Sequence, residues 1–162
     1  MKKYCIILLA AMLLSSCAKE QSIYTTIIPK PLSIRNFRGG FLFSNQVTVY
    51  SSSGIDSAAE VASFLTNRLH SLFGWKIHSG NRSKGSVILA SLPSQNNLGE
   101  EGYILRVYTD SIVILANKAN GLFYGIQTLL QAILPYSEDI ADGKPLFLPS
   151  VEITDMPRFS WR

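Results

Sequence analysis

Residues 102–134, GYILRVYTDSIVILANKANGLFYGIQTLLQAIL, contain two hydrophobic periods in one run, and the change from one to the other sets the fold class. Over 102–108, Tyr103, Leu105 and Val107 face one way and Arg106 the other, the two-residue period of a strand covered on one face. Thr109-Asp110 separates it from a second apolar strand over 111–117, a spacing that predicts a tight hairpin. From about Asn120 to Leu134 the apolar positions Leu122, Ile126, Leu129, Leu130 and Ile133 recur at helical spacing, so this segment turns one face toward a sheet. Gly121 and Gly125 lie four residues apart on one side of that helix and permit close backbone approach. Pro135 closes the helix, and a charged loop is expected over 136–144.

The same alternation extends toward the N-terminus. Val87-Ile88-Leu89 within 86–92 reads as a buried strand, followed by a polar loop over 93–99. Asp56 or Ser57 can cap a helix running to about Phe73, with Ala58, Val61, Ala62, Leu65, Leu69 and Leu72 on one face and Gly74 placed to end it. Residues 41–43 and 46–50 read as short strands after a turn at Gly39-Gly40. Pro29 and Pro31 hold the lead-in extended. The expected fold class is α+β, a largely antiparallel sheet with two helices on one face. Residues 27–149, roughly 120, suffice for one such domain and are too few for two. Neither an internal repeat nor a low-complexity segment is visible in the sequence.

The N-terminal residues have a different character. Met1-Lys2-Lys3 precedes an apolar run from Tyr4 to Leu14, the length of a signal-peptide core and too short for a permanent bilayer span. Leu14-Ser15-Ser16-Cys17 is similar to a bacterial lipobox, in which the peptide is cut before a cysteine that is then acylated. Residues 1–16 are thus expected to be a lipoprotein signal peptide, Cys17 the lipidation site, and 17–26 a polar tether. The partner implied is a membrane, met through a lipid anchor at the periplasmic or cell surface. Cys5 would leave with the signal, so neither a disulfide nor a cysteine metal site is available. The formal charge of +4 includes Lys2 and Lys3, and without them thirteen basic residues face eleven acidic ones, a net near +2. With no basic stripe interleaved with aromatics, nucleic acid is not an expected partner.

Candidates for chemistry are few. His70 and His78 are the only histidines, and neither has acidic or cysteine partners at metal-ligand spacing, so no metal is expected. Gly121–Gly125 lacks the lysine and the context of a phosphate loop, and its glycines are better explained by packing. Ser51–Ser53 is a loop and not a nucleophile elbow. Glu100-Glu101 and Glu138-Asp139 read as solvated pairs, not as a buried dyad. No cofactor and no catalytic residue follow from these. The final residues are more telling: Phe159 and Trp161 are too apolar to prefer water, and Arg158 and Arg162 are planar multi-donor forks.

Four pieces, in order, resemble the N-terminal domain of bacterial β-N-acetylhexosaminidases of glycoside hydrolase family 20. They are Ile27–Pro31, Glu101-Gly102-Tyr103, Gly121–Gln131, and Pro149 through Arg162. The resemblance implies an α+β domain preceding a (β/α)8 catalytic barrel, with 150–162 as the start of a barrel that is otherwise missing. It implies hydrolysis of terminal N-acetylhexosamine from glycans, in which the substrate's own acetamido oxygen attacks the anomeric carbon while a glutamate acts as acid and base and an aspartate orients the acetamido group. That Asp–Glu pair belongs to the barrel, so this chain alone is expected to be inactive. Arg162 matches the family arginine that donates to hydroxyls of the terminal sugar and is the expected substrate-binding residue. Asp155 and Arg158 match motif positions with structural roles. Beside an N-terminal fragment of such an enzyme stand two other readings: a free-standing surface lipoprotein that binds glycans or a protein partner, and a remnant without function. The aromatic terminus favours the first.

Overall fold

The computed structural model describes residues 23–157, except 53, 78, 79, 81–83 and 94–97. Six strands form one sheet: β1 (Ser33–Phe43), β2 (Thr48–Ser51), β3 (Ser86–Ser91), β4 (Tyr103–Val107), β5 (Ser111–Ala116) and β6 (Leu146–Asp155). Their spatial order is β1-β6-β4-β5-β3-β2. The fold is α+β, as the periodicities require, and the sheet is mixed. The β1/β6, β6/β4 and β4/β5 pairs are antiparallel, and β5/β3 and β3/β2 are parallel. Parallel neighbours need a crossover, and helix α1 (Ala58–Phe73) supplies one between β2 and β3. Helix α2 (Ala119–Ile133) leads from β5 past β4 toward β6.

Both long helices pack on one face. α1 buries Ala58, Ala62, Leu65, Leu69 and Phe73, one stripe at helical spacing, and ends at Gly74, whose φ of 68° lets its N–H reach the His70 carbonyl. α2 buries Leu122, Ile126, Leu129, Leu130 and Ile133 against β4 and β5. From the sheet, Val87, Leu89, Leu105, Ile112, Ile114 and Ile153 meet them in a single cluster. Phe64 of α1 and Phe123 of α2 join the helices, their ring centroids 5.0 Å apart. Trp75 lies between Phe43 and Phe73 at 5.3 and 5.2 Å. The close approach expected at the α2 glycines is present. A Cβ on Gly121 would strike the Gly102 carbonyl oxygen, and one on Gly125 the Ile114 Cγ2.

Several boundaries differ from the expectation. Gly39-Gly40 is not a turn: β1 runs through it as one strand whose register shifts between Asn36 and Gly40. Residues 23–26, expected as the end of a polar tether, are instead a 3-10 turn, Ile23–Thr26, with Tyr24 buried in the core, its hydroxyl donating to the Pro149 carbonyl at 2.7 Å. The expected division at residue 149 falls inside β6, which stays paired with β1 and β4 as far as Thr154 and Asp155. Pro149 is tolerated there because it sits opposite Gly40, at the register shift, where the ladder is already interrupted. The loop expected over 136–144 contains a short helix α3 (Ser137–Ala141) that anchors itself by the buried Ile140. α1 begins one residue after Ser57, which adopts φ 62° and makes no side-chain cap.

Candidate functional site

The register shift in β1 opens a cleft of about 360 Å3 on the sheet face away from the long helices. Asn36 pairs with Val151 and Gly40 with Pro149, so Phe37, Arg38 and Gly39 stand opposite Ser150 alone. Such a bulge bends its strand and re-aims side chains. Gly39 takes φ 89°, a left-handed conformation that a side chain resists, and a Cβ there would also come within 2.8 Å of Thr109 Cγ2. Phe37, 58 % exposed, and Tyr108 from the β4–β5 hairpin, 45 % exposed, both line the cleft.

An ion-pair ladder lies along this cleft. Arg106 and Glu152 are register partners on β4 and β6, and Arg106 Nε donates to Glu152 Oε2 at 2.6 Å. Arg35, paired with Glu152 across β1 and β6, approaches the other carboxylate oxygen at 3.8 Å. Partial burial pulls the Arg106 guanidinium down, but the hydrogen bond to Glu152, with Tyr108 adding to it, outweighs that and leaves it above the ordinary arginine value. Arg38 lines the same cleft, is exposed, and makes no ion pair among the described residues. Two guanidinium groups, Arg106 and Arg35, thus meet the Glu152 carboxylate, and Arg38 is a further one lining the cleft.

A second, smaller recess of about 60 Å3 lies where the lead-in crosses α2, between Ile28, Pro29, Tyr124 and Asp155. Ile28 N–H donates to Gln131 Oε1 at 2.9 Å, and Leu32 N–H to Asp155 Oδ1 at 3.2 Å. Asp155 thus ties the lead-in to the end of β6, a structural role. Ile28 and Leu32 themselves are exposed.

Of the site residues expected from sequence, Cys17 and Arg162 lie outside the described residues, as do His78, Arg158, Phe159 and Trp161. His70 Nδ1 lies 3.1 Å from the Trp75 carbonyl oxygen, which makes that nitrogen the protonated one and ties the ring to the end of α1. Among the described residues no three His, Cys, Asp or Glu side chains come together as a metal site. No helix there is long and apolar enough to cross a membrane. The Arg106–Glu152 pair was missed by sequence reasoning. Its one signal was the charged residue at Arg106, facing away from an otherwise apolar strand.

These features define a small α+β domain whose concavities hold one carboxylate each among the described residues, Glu152 in one and Asp155 in the other. The chain belongs to glycosyl hydrolase family 20, domain 2, which it matches over residues 24–156. It is similar to a beta-hexosaminidase of Porphyromonas gingivalis, 30 % identical over 164 residues covering 96 % of this chain and 21 % of that protein. A beta-hexosaminidase of Vibrio furnissii is 30 % identical over 139 residues, covering 85 % of this chain and 20 % of its own length. The chain spans about a fifth of these curated relatives. Among solved structures, the Streptomyces plicatus N-acetyl-beta-hexosaminidase superposes with a TM-score of 0.74 at 26 % identity, over 86 % of this chain and 28 % of that one. The exo beta-N-acetylglucosaminidase of Vibrio harveyi does so with a TM-score of 0.69 at 27 % identity, over 91 % and 21 %.

Proposed function

We propose that this chain is the domain that supports the catalytic part of a β-N-acetylhexosaminidase acting on terminal N-acetylglucosamine or N-acetylgalactosamine of glycans. The family match over residues 24–156 carries this reading. In the proposed arrangement Cys17 bears the lipid, the enzyme is anchored at the periplasmic or cell surface, and Arg162 donates to hydroxyls of the terminal sugar. Glycoside hydrolysis needs a proton donor at the leaving oxygen together with a second group at the anomeric carbon. Glu152 is bonded to Arg106 and approached by Arg35, and Asp155 accepts from the Leu32 N–H. In the proposed arrangement the acid pair comes from the catalytic part, so the 162 residues alone are expected to give no turnover.

The test has two parts. An antibody to this domain and intact mass of the membrane fraction should reveal a species several times larger than 17.9 kDa, and the immunoprecipitate should release chromophore from a chromogenic N-acetylglucosaminide. A native species no larger than 17.9 kDa, without turnover, would instead favour a free-standing lipoprotein that binds glycans or a partner. Turnover by the purified chain itself would refute the supporting role.

A further inference from the structure

The cleft beside the β1 bulge is not used by the reading above, yet it is built as a binding site. Its volume of about 360 Å3 falls in the range of about 300–1,000 Å3 typical of small-molecule pockets. Its accessible lining is mostly apolar, and Arg38, Arg106 and Glu152 bring charged groups to it. Phe37 and Tyr108 line it with exposed rings, surfaces on which the C–H face of a pyranose can lie. In the same lining Arg106 presents donors and Glu152 acceptors, already oriented by their bond at 2.6 Å, so neighbouring hydroxyls can bridge the pair. The charge is unbalanced: two guanidinium groups, Arg38 and Arg106, line the cleft with one carboxylate, Glu152, and that carboxylate is also approached by Arg35 from outside the lining. A ligand with a negative group completes the set, and Arg38, exposed and unpaired among the described residues, is placed to meet it.

We propose that this cleft binds one saccharide ring bearing a carboxylate, a uronic-acid-type unit of an acidic glycan, with the ring against Phe37 and Tyr108 and the carboxylate on Arg38. The choice of a saccharide over another carboxylate rests on the glycan-active reading given above. Binding is reversible and makes no covalent bond. The site would hold a glycan beside the enzyme, on the opposite face of the sheet from the helices, without taking part in cleavage.

The test is titration of the full chain with methyl β-D-glucuronide and methyl β-D-glucoside, followed by ligand-observed NMR and calorimetry. The glucuronide should bind about tenfold more tightly than the neutral glucoside, equivalent to about 1.4 kcal/mol. Phe37→Ala and Arg38→Gln change exposed side chains and should each weaken glucuronide binding about fivefold or more without moving the melting temperature. Arg68→Gln removes a charge from an exposed position on α1 and should leave binding unchanged. The proposal is overturned if neither sugar binds, if both bind equally, if the Phe37 and Arg38 variants bind like the parent, or if Arg68→Gln weakens binding as much. Benzoate binding as tightly as the glucuronide would also sink it, since the cleft would then select any apolar carboxylate. Binding is measured without turnover, so failure here leaves the hydrolase reading to its own assay.

Discussion

Gly121→Ala sets two known effects against each other. In a helix, alanine is favoured over glycine by up to about 1 kcal/mol, and less than that in the first turn where residue 121 lies. Opposing this, the new methyl would strike the Gly102 carbonyl oxygen and come within 2.8 Å of Ala116 Cβ. Overpacking against yielding side chains costs about 1–3 kcal/mol, and here the obstacle is backbone in the segment leading into β4, which cannot rotate away. The upper end of that range applies, so the net loss is about 2 kcal/mol. For a domain of this size 1 kcal/mol corresponds to about 4 °C in melting temperature, which gives a fall of about 8 °C. Gly125→Ala meets only side chains, Ile114 Cγ2 and the Tyr103 ring at 3.2 Å, and should cost about half as much. Thermal unfolding of the full chain, followed by far-UV circular dichroism with a urea titration as a check, measures both. A Gly121→Ala variant that melts at or above the parent would refute the close-approach argument and leave helix propensity in control. The reverse order of the two variants would show that the backbone is not the harder obstacle.

Burial raises the Tyr24 phenol above its ordinary value near 10, so the folded state holds a proton that the unfolded state gives up. Stability is therefore full below about pH 10 and falls as pH rises beyond it, by at most about 1.4 kcal/mol per unit; the fall should be shallower in Tyr24→Phe, and equal slopes in denaturant titrations from pH 9 to 11 would exclude this origin. Tyr103 and Thr128 share a buried hydroxyl pair at 2.5 Å; Thr128→Val should cost about 1–2 kcal/mol, and Tyr103→Phe combined with it less than the sum of the two, because removing both partners strands neither. Strict additivity in that double-mutant cycle would mean the pair is not coupled. Glu152→Gln leaves Arg106 and Arg35 without their counter-ion, and because both are partly solvated the loss should stay near about 1 kcal/mol; a loss several times larger would place the ladder in a far drier environment than its exposure indicates.

What could be read from the sequence follows from how local each signal is. The β4–β5 hairpin and α2 were legible because their turn and their period lie within one run of residues. The stripe of α1 and its stop at Gly74 were legible for the same reason. Gly39-Gly40 was read as a turn because a glycine pair announces left-handed backbone and close approach, which a bulge needs equally. Only the partner strand distinguishes them, and β6 begins more than a hundred residues later. β6 itself was obscured by Pro149, which argues against a strand unless it falls at an interruption, as it does opposite Gly40. Tyr24 stands among polar residues and looks like tether; its burial depends on the Pro149 carbonyl, 125 residues away. The cleft shows the same limit. Arg106 was visible as a charge on an apolar strand, but nothing local pointed to Glu152, 46 residues on, or to the bulge that sets Phe37 and Arg38 beside them.

The position of β6 bears on how the chain can be made. Among the described residues β1 has β6 as its only neighbour in the sheet, and β4 needs β6 on one side. As the polypeptide leaves the ribosome, β2, α1, β3, β4, β5 and α2 can assemble in order. Throughout that time β1 waits with its backbone edge open to any extended chain. It is closed only when residues 146–155 emerge and slide between β1 and β4. A stall or a nick before that point leaves a nearly complete helix-covered sheet carrying a sticky N-terminal strand, the kind of intermediate that chaperones hold and proteases clear.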